Sequence, residues 1–167
     1  MPVDSRVIIR RFVERDTDDY ASTLLRTLPC ESIEEARDDV NIVLGRVDGG
    51  EELWVAELDG HAVGFALLEF TRFWGDESEA FQEEGICIDW LDVHPNFQRL
   101  GVGKALLSKT EERAREKGLQ RVFMHTFVDN DPMLRFSEKT GFRLTRRMKL
   151  RWKDGARDGF LMEKILA

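Results

Sequence analysis

The period of apolar and polar positions changes several times along this chain, and each change marks an element. Residues 7–13 read as a first strand, and the acidic cluster from Asp16 to Asp19 precedes a helical stretch running through Leu25. Ser32 with Glu35 three residues on forms a capping box, which predicts a second helix through Val47 that Gly49 and Gly50 stop. Two strands, 53–58 and 62–70, flank Asp59-Gly60, a strong hairpin signal that makes them antiparallel neighbours. In the strand 86–93, Ile86, Ile88 and Trp90 fall on one face and Cys87, Leu91 and Val93 on the other. Both faces are apolar, so this strand belongs in the middle of a sheet, and Asp89 is its exception.

Further along, Val102, Gly103, Leu106, Leu107, Thr110 and Ala114 form one stripe of a helix that Gly118 ends. Residues 121–127 give a fifth strand, and strand, helix, strand in that order implies a right-handed crossover. Asn130-Asp131-Pro132 opens a fourth helix that closes before Gly141. Leu144, Met148, Leu150 and Trp152 alternate with Thr145, Arg147, Lys149 and Arg151 in a sixth strand, and 160–166 returns as a seventh. The stretch 71–85 holds five acids and three aromatics and reads as a loop. Without repeats or linkers, the expectation is one α/β (α+β) domain over residues 1–167, its sheet covered by helices.

Composition narrows the function classes. Hydrophobic residues make up 42% and charged residues 34%, as in an ordinary globular protein. No apolar run approaches the ~20 residues of a membrane span, and the first residues lack a signal-peptide core, so no membrane partner is expected and the cytoplasm is the default location. Cys30 and Cys87 match no metal spacing and are too few for a disulfide framework; no metal is expected. The net charge of −7 argues against nucleic acid, but it hides a division. Residues 1–90 carry 8 Lys/Arg and 22 Asp/Glu (8 − 22 = −14), and residues 91–167 carry 17 and 10 (17 − 10 = +7). The basic set Arg143, Arg147, Lys149 and Arg151 has the period of two of a solvated strand face.

The most informative stretch is 89–104, where an apolar strand runs through His94-Pro95 into a glycine-bearing turn that opens a helix. The first turn of a helix leaves its N–H groups without internal partners, and the peptide dipoles add partial positive charge there. Gly101 and Gly103 let a diphosphate approach the main chain, while Arg99 and Lys104 supply charge. A nucleotide phosphotransferase does not fit, because Gly-x-x-x-x-Gly-Lys-[Ser/Thr] is absent.

Gln98-Arg99-Leu100-Gly101-Val102-Gly103, followed by Lys104, resembles the Q/R-x-x-G-x-G/A element of the GNAT superfamily of N-acetyltransferases. A second match is Asn130, eleven residues before Gly141-Phe142, which resembles the family's Asn…Gly-Phe segment. The resemblance covers nearly the whole chain and implies a mixed, mostly antiparallel seven-stranded sheet with about four helices, its fourth and fifth strands parallel and splayed. It also implies an enzyme that transfers acetyl from acetyl-coenzyme A to a primary amine. Main-chain groups of Leu91, Asp92 and Val93 would pair with the pantetheine arm, 98–104 would hold the diphosphate, and Asn130 would contact the cofactor from the other side.

Direct transfer needs a base, because an alkylammonium with a lysine-like pKa of about 10.4 is no nucleophile. Asp89, alone among apolar neighbours, is the leading candidate; the other reading is that it pairs with an Arg or a backbone donor. Glu83, Glu84 and Asp92 are alternatives. The resemblance places a thiol-protonating tyrosine four residues before the Gly-Phe pair, but Ser137 stands there. Its hydroxyl either bonds the sulfur or packs on the helix. A coenzyme A-binding regulatory module without transfer is therefore the competing function. His61 belongs to a surface turn, His94 shapes the turn before Pro95, and His125 serves either as acid, base or acceptor contact or in the structure.

The charge division suits a phosphate-bearing donor on the basic half and a cationic acceptor on the acidic half, whether small-molecule amine or peptide N-terminus. A homodimer is expected by frequency alone. Reversal of Asp76, Glu77 and Glu79 to lysine should raise the acceptor's KM, measured by steady-state kinetics; an unchanged KM removes that loop from acceptor recognition.

Overall fold

A computed structural model describes residues 6–70, 84–152 and 155–167. Most of the loop 71–85, with Asp76, Glu77, Glu79 and Glu83, lies outside the described residues, as do Lys153 and Asp154. The elements follow the predicted order: β1 (Ile8–Arg11), α1 (Thr17–Thr27), α2 (Ile33–Asp48), β2 (Glu52–Leu58), β3 (His61–Phe70), β4 (Ile86–Val93), α3 (Val102–Glu116), β5 (Arg121–Phe127), α4 (Asp131–Lys139), β6 (Arg143–Trp152) and β7 (Gly155–Ile165). Seven strands form a sheet in the order β1-β2-β3-β4-β5-β7-β6. As its two apolar faces require, β4 is the central strand, and it pairs in parallel with β5. Among the described residues no helix is long and apolar enough to cross a membrane.

Local chemistry explains the boundaries. Ser32 Oγ accepts the Glu35 N–H at 3.1 Å, as a capping box requires, but the Glu35 carboxylate turns to the N–H of Glu31 at 2.7 Å. α1 runs two residues past Leu25; the Thr23 and Thr27 hydroxyls bond back to the carbonyls of Asp19 and Thr23, and Leu28, which precedes Pro29, is extended. Asp59 and Gly60 both have positive φ, 52° and 83°, the pairing a two-residue hairpin with matching twist needs.

Two expectations fail on β6 and β7. A register shift between Leu144 and Arg146 leaves Leu144 57% exposed, and the inward alternation starts at Met148 and Leu150. β7 begins at Gly155 rather than at 160, because its hairpin with β6 pairs Trp152 with Gly155. Gly159 falls inside that strand for a packing reason: a Cβ there would collide with Leu150 Cδ1 and sit 2.9 Å from the Thr126 carbonyl oxygen.

The chain divides into two compact units, one taking the residues up to Leu68 with Trp90–Lys109, the other Glu69–Asp89 with Thr110–Ala167. In the first, Tyr20 is fully buried and stacks on Phe65 at 4.0 Å within a core that includes Leu24, Val40, Val55 and Leu67, with Trp90 packed against it. Gly64 on β3 lets α3 come close: a Cβ there would lie 2.6 Å from Val102 Cγ1. In the second, Cys87, Phe123, Met148, Leu150 and Leu161 make the core.

A partly buried ion pair ties β1 to the start of α1. The Arg10 guanidinium meets both carboxylate oxygens of Asp16 at 2.7 and 2.8 Å and reaches Glu57 at 2.6 Å through Nε. Burial alone would raise the Asp16 carboxyl, but Arg10 and the Val13 N–H outweigh it and hold the group below its ordinary value. A depressed carboxylate contributes stability above the unfolded value, and that contribution is lost as pH falls through the folded one. Asp16→Asn should therefore cost about 2–4 kcal/mol by denaturant unfolding at neutral pH and progressively less in acid, below the usual carboxylate range. A loss that stays constant across that range contradicts the assignment.

Candidate active site

Candidate residues of β4 fall in each unit. In the first, His94 closes the strand by donating its N–H to the Val63 carbonyl of β3 at 2.9 Å. Strand alternation then turns the main-chain groups of Leu91 and Val93 away from β3 and those of Asp92 toward it. Of the three residues expected to pair with a ligand's arm, Leu91 and Val93 are thus the ones that can. The Gln98 side chain folds back, its amide donating to the Val93 carbonyl at 3.2 Å, so it positions the loop end against β4.

The turn that follows is shaped by two left-handed residues, Arg99 at φ 65° and Gly101 at φ 79°. Alternation of right- and left-handed residues gathers consecutive N–H groups into a concave anion site. The Ala105 N–H donates to the Gly101 carbonyl at 2.9 Å, and the donors of Val102, Gly103 and Lys104 precede it at the helix's positive end. Arg99 and Lys104 are exposed, Leu100, Gly101 and Gly103 half-buried, and Val102 is buried as the anchor of the turn. These residues fit a diphosphate: main-chain donors for its oxygens, two cations for its charge, and a left-handed glycine where a side chain would be strained.

Asp92, whose main chain faces β3, presents its side chain to α1. The Thr27 hydroxyl shares its single proton between the Thr23 carbonyl at 3.0 Å and Asp92 Oδ1 at 3.4 Å, while Oδ2 is shut off from solvent without a hydrogen-bond partner among the described residues. Burial pushes this carboxyl up to about 7, against the smaller opposing effect of the Thr27 hydroxyl. Thr27 is the site residue that sequence reading missed; the contact joins positions 65 apart, and no local pattern signals it.

In the second unit the β4–β5 ladder covers only Ile86–Ile88 against Val122–Met124, and both strands run on past it. At the next position, Asp89 Oδ1 and His125 Nε2 meet at 2.6 Å, with side chains 7% and 17% exposed. Sequence reading singled out each and did not join them. An ionised Asp89 accepts only, so it selects the tautomer with the proton on Nε2 and leaves Nδ1 as the ring's acceptor. Glu84, another alternative base, is exposed.

Asn130 caps α4: its Oδ1 accepts the Met133 N–H at 3.3 Å. The buried Ser137 hydroxyl donates to the Met133 carbonyl of its own helix at 2.5 Å and packs 3.8 Å from Met124 Sδ of β5. Arg147 and Lys149, on the outward face of β6, both pair with Asp158 of β7.

The model of the acetyltransferase (GNAT) family matches residues 16–142. An uncharacterized Bacillus subtilis protein, YxbD, is 34% identical over 90 residues, 54% of this chain and 54% of that protein. Probable N-acetyltransferase 14 of Danio rerio is 29% identical over 94 residues, 56% of this chain and 30% of its own length. The chain thus spans about half or less of these two curated relatives. Among solved structures, Ard1 from Thermoplasma volcanium superposes with a TM-score of 0.74 at 21% identity, covering 97% of this chain and 99% of the other. A GNAT family acetyltransferase from Elizabethkingia anophelis, solved with acetyl-CoA bound, gives 0.67 at 18% identity over 98% and 100%.

The Asp92 geometry has a measurable cost. Between the ordinary aspartate value of about 3.9 and about 7, the unfolded chain gives up this proton and the folded chain keeps it, so stability falls as pH rises and levels off above. Asp92→Asn should raise stability by on the order of 2 kcal/mol at slightly alkaline pH and by little near the ordinary carboxylate value. Thermal unfolding across that window checks it; an equal change at both ends contradicts a carboxylate whose charged form burial penalises.

Proposed function

Because the chain belongs to the acetyltransferase (GNAT) family, we propose that it transfers the acetyl group of acetyl-CoA to a primary amine by direct attack with both substrates bound. The observation that supports this reading is the turn 98–104, whose left-handed residues and helix-start donors suit a diphosphate at the end of β4. Bound acetyl-CoA supplies the activated acetyl thioester. Main-chain donors from Gly101 to Lys104 take the diphosphate, with Arg99 and Lys104 neutralising it. Leu91 and Val93 offer strand-like main-chain groups to the pantetheine arm, and the Val93 N–H polarises the acetyl carbonyl. Asn130 contacts the cofactor through its side-chain amide.

An ammonium must lose its proton before it attacks. Asp89 fixes the His125 ring so that Nδ1 is the accepting atom, which makes His125 the base and Asp89 the residue that orients it. Asp92 is the alternative acceptor, on the α1 side of the same strand. With the Ser137 hydroxyl donated to Met133, the thiol leaves as thiolate and collects its proton from water, which a thiol pKa of about 8.5 permits. The acidic half of the chain suits a cationic acceptor, small-molecule or peptide.

The second reading, a coenzyme A-binding regulatory module without transfer, is favoured by the same Ser137 geometry at the position where the family's tyrosine is absent. Thiol release separates the two. With a panel of amines, free coenzyme A should accumulate and mass spectrometry should identify one acetylated product, whereas tight binding without release across the panel supports the module. Asp89→Asn should lower kcat by roughly 10–100-fold with acetyl-CoA affinity intact; normal turnover excludes the Asp89–His125 pair as the base.

A further inference from the structure

The turn between β4 and the diphosphate seat contains a device that the transfer reaction itself does not require. Pro95–Phe97 forms one short 3-10 turn, and because Pro95 has no N–H, Asn96 carries the first main-chain donor that needs an acceptor. His94 Nδ1 provides it at 3.2 Å, doing with an imidazole lone pair what Ser or Asp side chains do at helix starts. The Phe97 N–H donates to the His94 carbonyl at 2.8 Å, and the two rings meet edge to face with centroids 5.6 Å apart. The main-chain bond from Gln98 to Pro95 is long, 3.5 Å, so the loop's entry angle depends on the contacts around His94 and on the Gln98 side chain.

We propose that His94 is a positioning residue whose neutral imidazole latches the turn leading into the diphosphate seat, and that protonation of the ring opens the latch and weakens binding of acetyl-CoA. This rests on the reading of 98–104 as the donor's seat. An imidazolium has a proton on both nitrogens and no lone pair, so the Asn96 N–H would face another N–H where it now meets an acceptor. The His94 main-chain bond to Val63 does not titrate and keeps β4 in place. The charges around the ring come from α1, where Arg26 opposes an imidazolium and Asp19 favours it more weakly, and from β4, where Asp92 lies two residues back. Burial and then Arg26 hold His94 below the ordinary imidazole value, so the latch is closed at neutral pH and opens as pH falls through that lowered value.

Calorimetric titration of the full chain with acetyl-CoA, from about pH 8 to about pH 5.5, tests this on wild type, His94→Asn and His94→Ala. Titration of the ligand's own phosphates contributes equally to all three. Asn keeps an N-cap acceptor that does not titrate, so His94→Asn should bind within about threefold of wild type at the alkaline end and lose several-fold less affinity in acid. His94→Ala should bind roughly fivefold more weakly at every pH, without the extra acid loss of wild type. Thermal unfolding of each variant separates a local effect from a damaged fold. Parallel profiles for wild type and His94→Asn overturn the latch while leaving the seat intact. No binding by wild type at any pH overturns the seat, and the latch with it.

Discussion

The N–H groups at the start of α3, which have no partner within their own helix, are the donors that the neighbouring elements position. A helix start is a weak anion site alone. Here it is reinforced by two left-handed residues before it, Arg99 and Gly101, and by the burial of Val102 against β3, which Gly64 permits by having no side chain. β4 ends where this turn begins, so the main-chain groups of Leu91 and Val93 that face away from β3 and the helix's donors are joined by only a few residues. Gln98 closes the connection by donating to Val93.

Around that strand the charged groups are sorted by face. Asp92 points to α1 and Thr27, while Asp89 meets His125 of the parallel neighbour. The two carboxylates differ in kind. Asp89 has His125 as partner and orients its imidazole, whereas Asp92 keeps one buried oxygen without a partner among the described residues, at a cost in stability above the ordinary carboxylate range.

Much of this was legible in the chain itself. Strand alternation in 86–93, the stripe from Val102 to Ala114 and the Asp59-Gly60 turn are local patterns, and the elements they predict appear with boundaries within a few residues. The glycine-bearing motif was equally legible because its physics is local: left-handed backbone and a helix start lie within seven residues. What sequence could not give were pairings over distance. Asp89 and His125 are 36 positions apart, Thr27 and Asp92 are 65 apart, and only the sheet and the α1 packing bring them together. The shift at Leu144–Arg146 was hidden for another reason: a bulge inserts a residue without changing composition, so the alternation of β6 reads as continuous until its partner strand fixes the register.

Amide nuclear magnetic resonance of the full chain during titration with acetyl-CoA tests the central claim most directly, because it reports on the main-chain donors themselves. The account predicts that the largest saturable shifts fall on the amides of Gly101, Val102, Gly103 and Lys104, with a second set at Leu91 and Val93. Saturable binding that leaves those amides unmoved, or no binding, would contradict it.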